Sequence, residues 1–195
     1  MDYCSFPKDK HGYDSVLVVV DWLSKRAVLM PCYKTTSARE MARLFIKHIY
    51  RWKGPPNIIV SDWGGQFVSE FWSKVCSILG IKLKLSTSYH PQIDGQTEIM
   101  NQYMAQWLQP FISYYQDDWS EWLPIIDFAQ VVLPYESTGL ALAYVDSGYI
   151  PRTLFDWKAA SPPQNLNINK EEAQALVCHI QEAWNRAKEG IMHAQ

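Results

Sequence analysis

The chain has little charge of either sign and no excess of one: 18 Lys and Arg stand against 20 Asp and Glu in 195 residues, a formal net charge of −2. A protein that grips nucleic acid or an anionic membrane over its whole surface carries a basic surplus, so any such contact is expected to be local. Long apolar runs are missing too. No stretch approaches the ~18 apolar residues of a membrane span, and the polar "PKDKHG" near the start excludes a signal peptide's apolar segment. The four cysteines, Cys4, Cys32, Cys76 and Cys178, are far apart, with no C-x-x-C pair and no cluster among the five histidines. That excludes a zinc knuckle and predicts reduced thiols. A soluble chain of the cytosol or nucleus is expected.

What is present is apolar residue, 48% of the chain. This length and content predict one domain with a real core and an appended helix, not two domains. Met1 leads at once into an ordered segment, which predicts a first strand without its upstream half, as in a fragment or after a late start codon.

"DSVLVVVDWLSKRAVLMPC" is apolar from Val16 to Val20, the pattern of a strand buried on both faces. A turn over Asp21 to Lys25 then leads into a second strand, Ala27 to Met30. Asp21, at that turn, is read as structural. Ser37 with Glu40 three residues on is a capping-box pattern. Met41, Leu44, Phe45, Ile49 and Trp52 follow at helical spacing, and Gly54-Pro55-Pro56 ends the run. "NIIVSD" predicts a short buried strand with Asp62 at its carboxyl end, and strand, helix and strand together predict a crossover with a parallel pair. A helix over about 67–79 stops at Gly80. "KLKLST" alternates with period two, a strand with one wet face carrying Lys82 and Lys84. A helix begins near Asp94 and is kinked or ended by Pro110. "WSEWLPIIDFAQVVL" predicts another, with Pro124 tolerated. An irregular connection is expected over 133–164, then an amphipathic tail helix whose stripe is Ala173, Leu176, Val177, Ile180, Trp184 and Ile191. The fold class is α/β, a mixed central sheet flanked by helices, and ligands in such sheets collect at strand carboxyl ends.

Three acids stand out by position. Asp62 ends a strand before Gly64-Gly65, where the backbone turns sharply. Glu98 lies in the first turns of a helix beside Asp94, Asn101 and Gln102. Asp2 falls on a strand pairing with "VLVVV" if "MDYCSF" is one. Read by themselves, these residues equally fit a turn cap, a helix-dipole partner and a chain end.

Between Asp62 and Glu98 lie 35 residues, flanked by "IVSDWGGQF" and "YHPQIDGQTEIMN". With "VVVDWLSK" and "GYIPRT", these stretches resemble the catalytic core of retroviral-type integrases, most of all those of the gypsy-type long-terminal-repeat retrotransposons of fungi. The resemblance runs from Asp2 to about Trp157. It implies an RNase H-like fold for 1–157 and a linker and C-terminal helix for 158–195. It also implies a triad of Asp2, Asp62 and Glu98, which would hold two Mg²⁺ or Mn²⁺ ions, and a polynucleotidyl transferase that trims 3′ ends of the element's cDNA and joins them to host DNA. Asp2 is then the bridging ligand. Lys82, Lys84, His90, Gln92, Asp94, Gln96 and Asn101 are the candidate DNA-facing residues, the lysines equally readable as a solvated strand face. DNA, a second copy of the chain and the nucleus follow as expected partners and location.

The chain departs from the family pattern at Trp63, where arginine is usual, at Ile93, where threonine is usual, and at Leu140 to Ala143, where proline and phenylalanine are common. A catalytically inactive relic that keeps a nucleic-acid-binding or interaction module is therefore a second reading. An RNase H-type nuclease is a third.

Overall fold

The computed structural model describes residues 1–85, 108–109, 111–112, 116–134 and 140–153, and positions 174, 177, 178, 182 and 185. Its strands are β1 (Asp2–Ser5), β2 (Ser15–Val20), β3 (Ala27–Cys32), β4 (Ile58–Ser61) and β5 (Lys82–Leu85). The β-branched run of β2 sits in the middle of an antiparallel sheet ordered β1-β2-β3, with Asp2 opposite Val18 and Val18 opposite Leu29. β4 and β5 pair in parallel, Val60 opposite Lys84. The two ladders meet where Met1 N donates to Val60 O at 2.7 Å, which lays the leading end of β1 against the trailing end of β4.

Because side chains alternate across a sheet, β2 feeds two cores. Val16 and Val18 face a layer with Leu108, Phe111, Trp119, Leu123 and Ile126. Leu17 faces the other, with Met30, Met41, Phe45, Ile59, Phe67 and Trp72. From Val16 to Val18 burial on both sides removes polar choices, as the sequence shows, and the one polar residue of the strand, Ser15, donates its hydroxyl to Cys4 O.

Helix α1 (Ala38–Phe45) starts on the expected capping box: Glu40 N donates to Ser37 Oγ, and Ser37 N to the Glu40 carboxylate. Two first-turn donors are thereby satisfied. The helix runs on through a π-helical segment, Ile46–Tyr50, into α2 (Arg51–Lys53) and ends at Gly54, φ 70°. The π segment overturns one expectation. Met41, Phe45 and Ile49 are buried as their spacing predicts, but Trp52 is 73% exposed. Hydrogen bonds from i to i+5 turn the chain more slowly than α-helical ones, so positions after Tyr50 no longer keep the register of the apolar stripe.

Helix α3 (Glu70–Ile78) begins three residues later than its apolar pattern suggests, because Ser69 caps it by accepting from Trp72 N. Phe67 is buried from the preceding turn instead. The helix ends in a Schellman motif: Gly80 at φ 70° donates to Ser77 O, and Ile81 N to Cys76 O. In β4 only Ile59 and Ser61 are buried, and Ile58 is 46% exposed, so this strand is covered on one side and not both.

Helix α4 (Trp119–Val132) contains Pro124 and packs its Trp119, Leu123 and Ile126 on the β2 core. Its start is held by the 7–14 loop. Buried Asp9 accepts from His11 N, Tyr13 N and Ser120 Oγ, and Trp119 Nε1 donates to Pro7 O. A short helix, α5 (Leu142–Ser147), interrupts the connection expected to be irregular. It buries Leu142 and Ala143, and Asp146 at its end takes Lys53 and Arg26 as ion partners. The five tail positions described are helical, in keeping with the expected tail helix. Of its apolar stripe only Val177 is described, half-buried; the others lie outside the described residues. No helix among the described residues is long and apolar enough to cross a membrane.

These register assignments predict unequal costs for two aromatic truncations. Phe45→Ala should destabilise by about 3–5 kcal/mol, while Trp52→Ala should change stability by less than about 0.5 kcal/mol. Urea unfolding midpoints measure both, and a large loss at Trp52 would contradict the π-shifted register.

Candidate active site

Sheet sides fix what surrounds the acids. Met1 and Tyr3 pack on the core that contains Ile59 and Leu83, so Asp2 and Cys4 point to the opposite side, where Cys4 meets the layer of Leu108 and Phe111. By the same alternation Lys82 and Lys84 share the side of Asp2, exposed, on the uncovered face of β4 and β5. The segment that follows Glu98 in the chain reaches this side at Leu108 and Phe111. Asp2 therefore stands on the end strand of the antiparallel sheet, where that sheet meets β4, with cationic residues farther along the same face.

Asp62 follows β4 directly. Val60, two residues before it, accepts from Met1 N, one residue before Asp2, so the two acids sit on adjoining strand ends. The local chain holds Asp62 in a turn: Gly64 N donates to Asp62 Oδ1 at 3.0 Å, and Gly64 O accepts from Phe67 N and Val68 N. A Cβ at position 64 would lie 3.0 Å from Asp62 Oδ1 and 3.4 Å from Phe67, so with any other residue there the carboxylate would have to shift by a few tenths of an ångström. The turn is anchored from outside as Gln66 Nε2 donates to Thr36 O at 3.3 Å. Asp62 thus serves as a turn cap and remains exposed. Asp2 Oδ1 accepts from Tyr3 N at 2.7 Å.

The carboxylate charges register on their neighbours. Burial, and then the charge of Asp2, pushes the Cys4 thiol up. Burial chiefly, with the Cys32 thiol and the Asp62 charge adding, pushes the Tyr3 phenol far above its ordinary value. The Tyr3 hydroxyl is buried without a hydrogen-bond partner among the described residues, while its ring rests 5.4 Å from that of Phe67. Tyr3 was not legible as a site neighbour beyond its place next to Asp2, on the other side of β1. Asp21 is structural, as read: its carboxylate accepts from Leu23 N and Ser24 Oγ across the hairpin turn. Trp63 is 64% exposed and lies outside the core, beside Asp62.

Among the described residues no three His, Cys, Asp or Glu side chains form a group that could hold a metal. Asp2 and Asp62 bring two sets of carboxylate oxygens to adjoining strand ends, the donor type that Mg²⁺ and Mn²⁺ take. Glu98, the third acid, lies outside the described residues, as do His90, Gln92, Asp94, Gln96 and Asn101.

The antiparallel hairpin sheet meeting a parallel pair, with helices on both sides, is an RNase H-like α/β fold. Solved integrase structures share it. The catalytic core domain of HTLV-2 integrase, solved with magnesium in a trimeric form, matches with a TM-score of 0.57 at 16% identity, over 74% of this chain and 93% of that one. The intasome of simian T-cell lymphotropic virus, solved with the PP2A regulatory subunit B56 gamma, matches with a TM-score of 0.60 at 18% identity, over 85% of this chain and 60% of that one.

Sequence narrows the class. Residues 1–91, which include Asp2 and Asp62, match the family described as "Integrase core domain". Over 126 residues, 65% of the chain, it is 32% identical to the Tf2-3 and Tf2-4 transposon polyproteins of Schizosaccharomyces pombe. It spans 10% of their length. In its first 91 residues the chain is thus similar to integrase core domains, and over 126 residues to the transposon polyproteins of a fungus.

The orphaned Tyr3 hydroxyl gives a direct test of the packing beneath the acids. Tyr3→Phe removes an unpaired buried polar group and should raise stability by about 1 kcal/mol or leave it unchanged. A loss above about 1 kcal/mol in urea unfolding would show that the hydroxyl is bonded.

Proposed function

We propose that this chain is the catalytic core of a retrotransposon integrase, a polynucleotidyl transferase acting on the 3′ ends of the element's DNA and on host DNA. The observation that carries the reading is the Met1 N to Val60 O bond, which sets Asp2 and Asp62 on adjoining strand ends of an integrase core fold. Asp2, Asp62 and Glu98 would hold two divalent cations. Bound Mg²⁺ or Mn²⁺ supplies charge stabilisation to a phosphodiester undergoing in-line displacement. The remaining work belongs to the chain. Gly64 N keeps one oxygen of Asp62 fixed, so this carboxylate does not have to be ordered when ligands bind. Lys82 and Lys84, on the side of Asp2, would attract the phosphate backbone, with His90, Gln92, Asp94, Gln96 and Asn101 as further DNA contacts.

Three close carboxylates repel one another when no cation is present, so metal should stabilise the fold. A host-DNA substrate implies action in the nucleus, and joining two DNA ends implies more than one copy of the chain.

Mn²⁺ at about 100 times its Kd should stabilise the wild type by about 2.7 kcal/mol, read as a rise in Tm. Asp62→Asn and Glu98→Gln should lose the rise and also lose joining of an oligonucleotide 3′ end to a DNA target, with metal-free DNA binding retained. Joining that persists in Asp62→Asn would overturn the assignment. Gly64→Ala should reduce both the metal response and joining at least tenfold while changing metal-free stability by no more than about 1 kcal/mol, because the added methyl group displaces the Asp62 carboxylate.

A further inference from the structure

The helix that runs from 38 to 53 carries Arg39, Arg43, Lys47 and Arg51, four cations at intervals of four residues, all exposed. In a chain of net charge −2 this is a local concentration of one sign. The acid Glu40 is engaged with Ser37 in the capping box, and Asp146 is engaged by Lys53 and Arg26. Among the described residues none of the four cations has an ion-pair partner.

Two features argue against an ordinary solvated helix face. Like charges four residues apart on a helix repel, and this helix accepts three such steps in succession. The π segment also affects their alignment. In an α-helix a four-residue step overshoots one turn, so a row at this spacing drifts around the axis. A π-helix turns more slowly, and with Ile46–Tyr50 in that form the step through Lys47 counters the drift. The cations therefore keep closer to one face than α-helical geometry alone permits. At each end a guanidinium lies over an exposed ring, Arg39 over Phe71 at 5.5 Å and Arg51 over Trp52 at 5.0 Å, which limits its freedom.

The row begins at the candidate site. Thr36, just before the helix, accepts from Gln66 in the turn that holds Asp62. From Arg39 to Arg51 the row extends about 18 Å at 1.5 Å per residue, the axial length over which one DNA strand presents roughly five phosphates.

We propose that the exposed face of this helix is a binding ridge for the phosphate backbone of duplex DNA, contacting Arg39, Arg43, Lys47 and Arg51 without reading bases. This rests on the integrase reading and adds to it a track that leads duplex away from the turn of Asp62. The ridge needs no metal, so it can be tested apart from catalysis.

The test is binding of a fluorescent duplex of about 20 base pairs in EDTA, by anisotropy, across 50 to 200 mM salt. Arg43→Gln combined with Lys47→Gln and Arg51→Gln should lower the slope of log K against log salt by about 2.7, or 0.9 for each lost phosphate contact. Arg43→Gln alone should lower it by about 0.9, and Lys8→Gln, on the 7–14 loop, should not change it. Arg43→Lys with Arg51→Lys should keep the wild-type slope, so a loss there together with a non-cooperative melt would expose a folding defect as the cause and overturn the assignment. An unchanged slope in the triple variant also overturns it. So does an equal fall for Lys8→Gln, or binding to anionic lipid vesicles that depends on the three residues when duplex binding does not. Joining activity separates the two readings: a triple variant that still joins short ends with an unchanged slope fails the ridge alone, while a wild type that binds duplex through the ridge and never joins fails the catalytic reading alone.

Discussion

Everything in this fold depends on one strand having no exposed side. Val16 and Val18 of β2 go into one core and Leu17 into the other, so β1 and β3, paired on either edge, are each presented to two apolar layers. The alternation then propagates. Tyr3 must join the layer of Phe67 and Trp72, and Asp2 must turn to the layer of Trp119 and Leu108. A one-residue slip between β1 and β2 would bury the aspartate among Phe45 and Met41. The position of the first acid is thus a consequence of hydrophobic register, and no polar interaction has to choose it.

The second acid is positioned by different physics. Asp62 follows β4, whose burial is one-sided, and it is held by a local turn in which Gly64 donates to it and leaves it room. One carboxylate is set by long-range packing and the other by short-range chain geometry. The Met1 to Val60 bond joins these two regimes, because it is where the antiparallel ladder ends and the parallel one begins. The orphaned Tyr3 hydroxyl lies beneath that seam, with both the Asp62 charge and the Cys32 thiol acting on it.

Much of this was readable before any coordinates. The hairpin of β2 and β3, the Ser37 capping box and the Gly80 stop are local signals, and each acts through nearest neighbours in sequence. Asp62 and Glu98 were found by their interval and flanking residues and Asp2 through the resemblance those carry, which report on a family and not on a distance in space. What escaped were features set by tertiary packing or by a change of helical period. Trp52 follows the apolar stripe in sequence but not in space, because the hydrogen-bond register changes at Ile46. Helix α5 hides in a segment rich in glycine and tyrosine, where only the burial of Leu142 and Ala143 makes a helix favourable. The cationic row was visible as R-x-x-x-R-x-x-x-K-x-x-x-R and needed only the question of which acids could neutralise it.

The π segment carries a further meaning. A single π turn inside a helix is equivalent to an α-helix with one surplus residue, accommodated without breaking the rod. Deleting one residue between Ile46 and Tyr50 would let the helix rewind to α geometry, and the faster α winding would return the short cap Arg51–Lys53 close to its present orientation. Lys53 would then stay within reach of Asp146, and this helix would remain coupled to α5. The same deletion between Ala38 and Phe45, where the winding is already α-helical, would turn everything after it by more than a quarter of a turn, so the π segment is the one place where this helix absorbs a change of length without losing that contact.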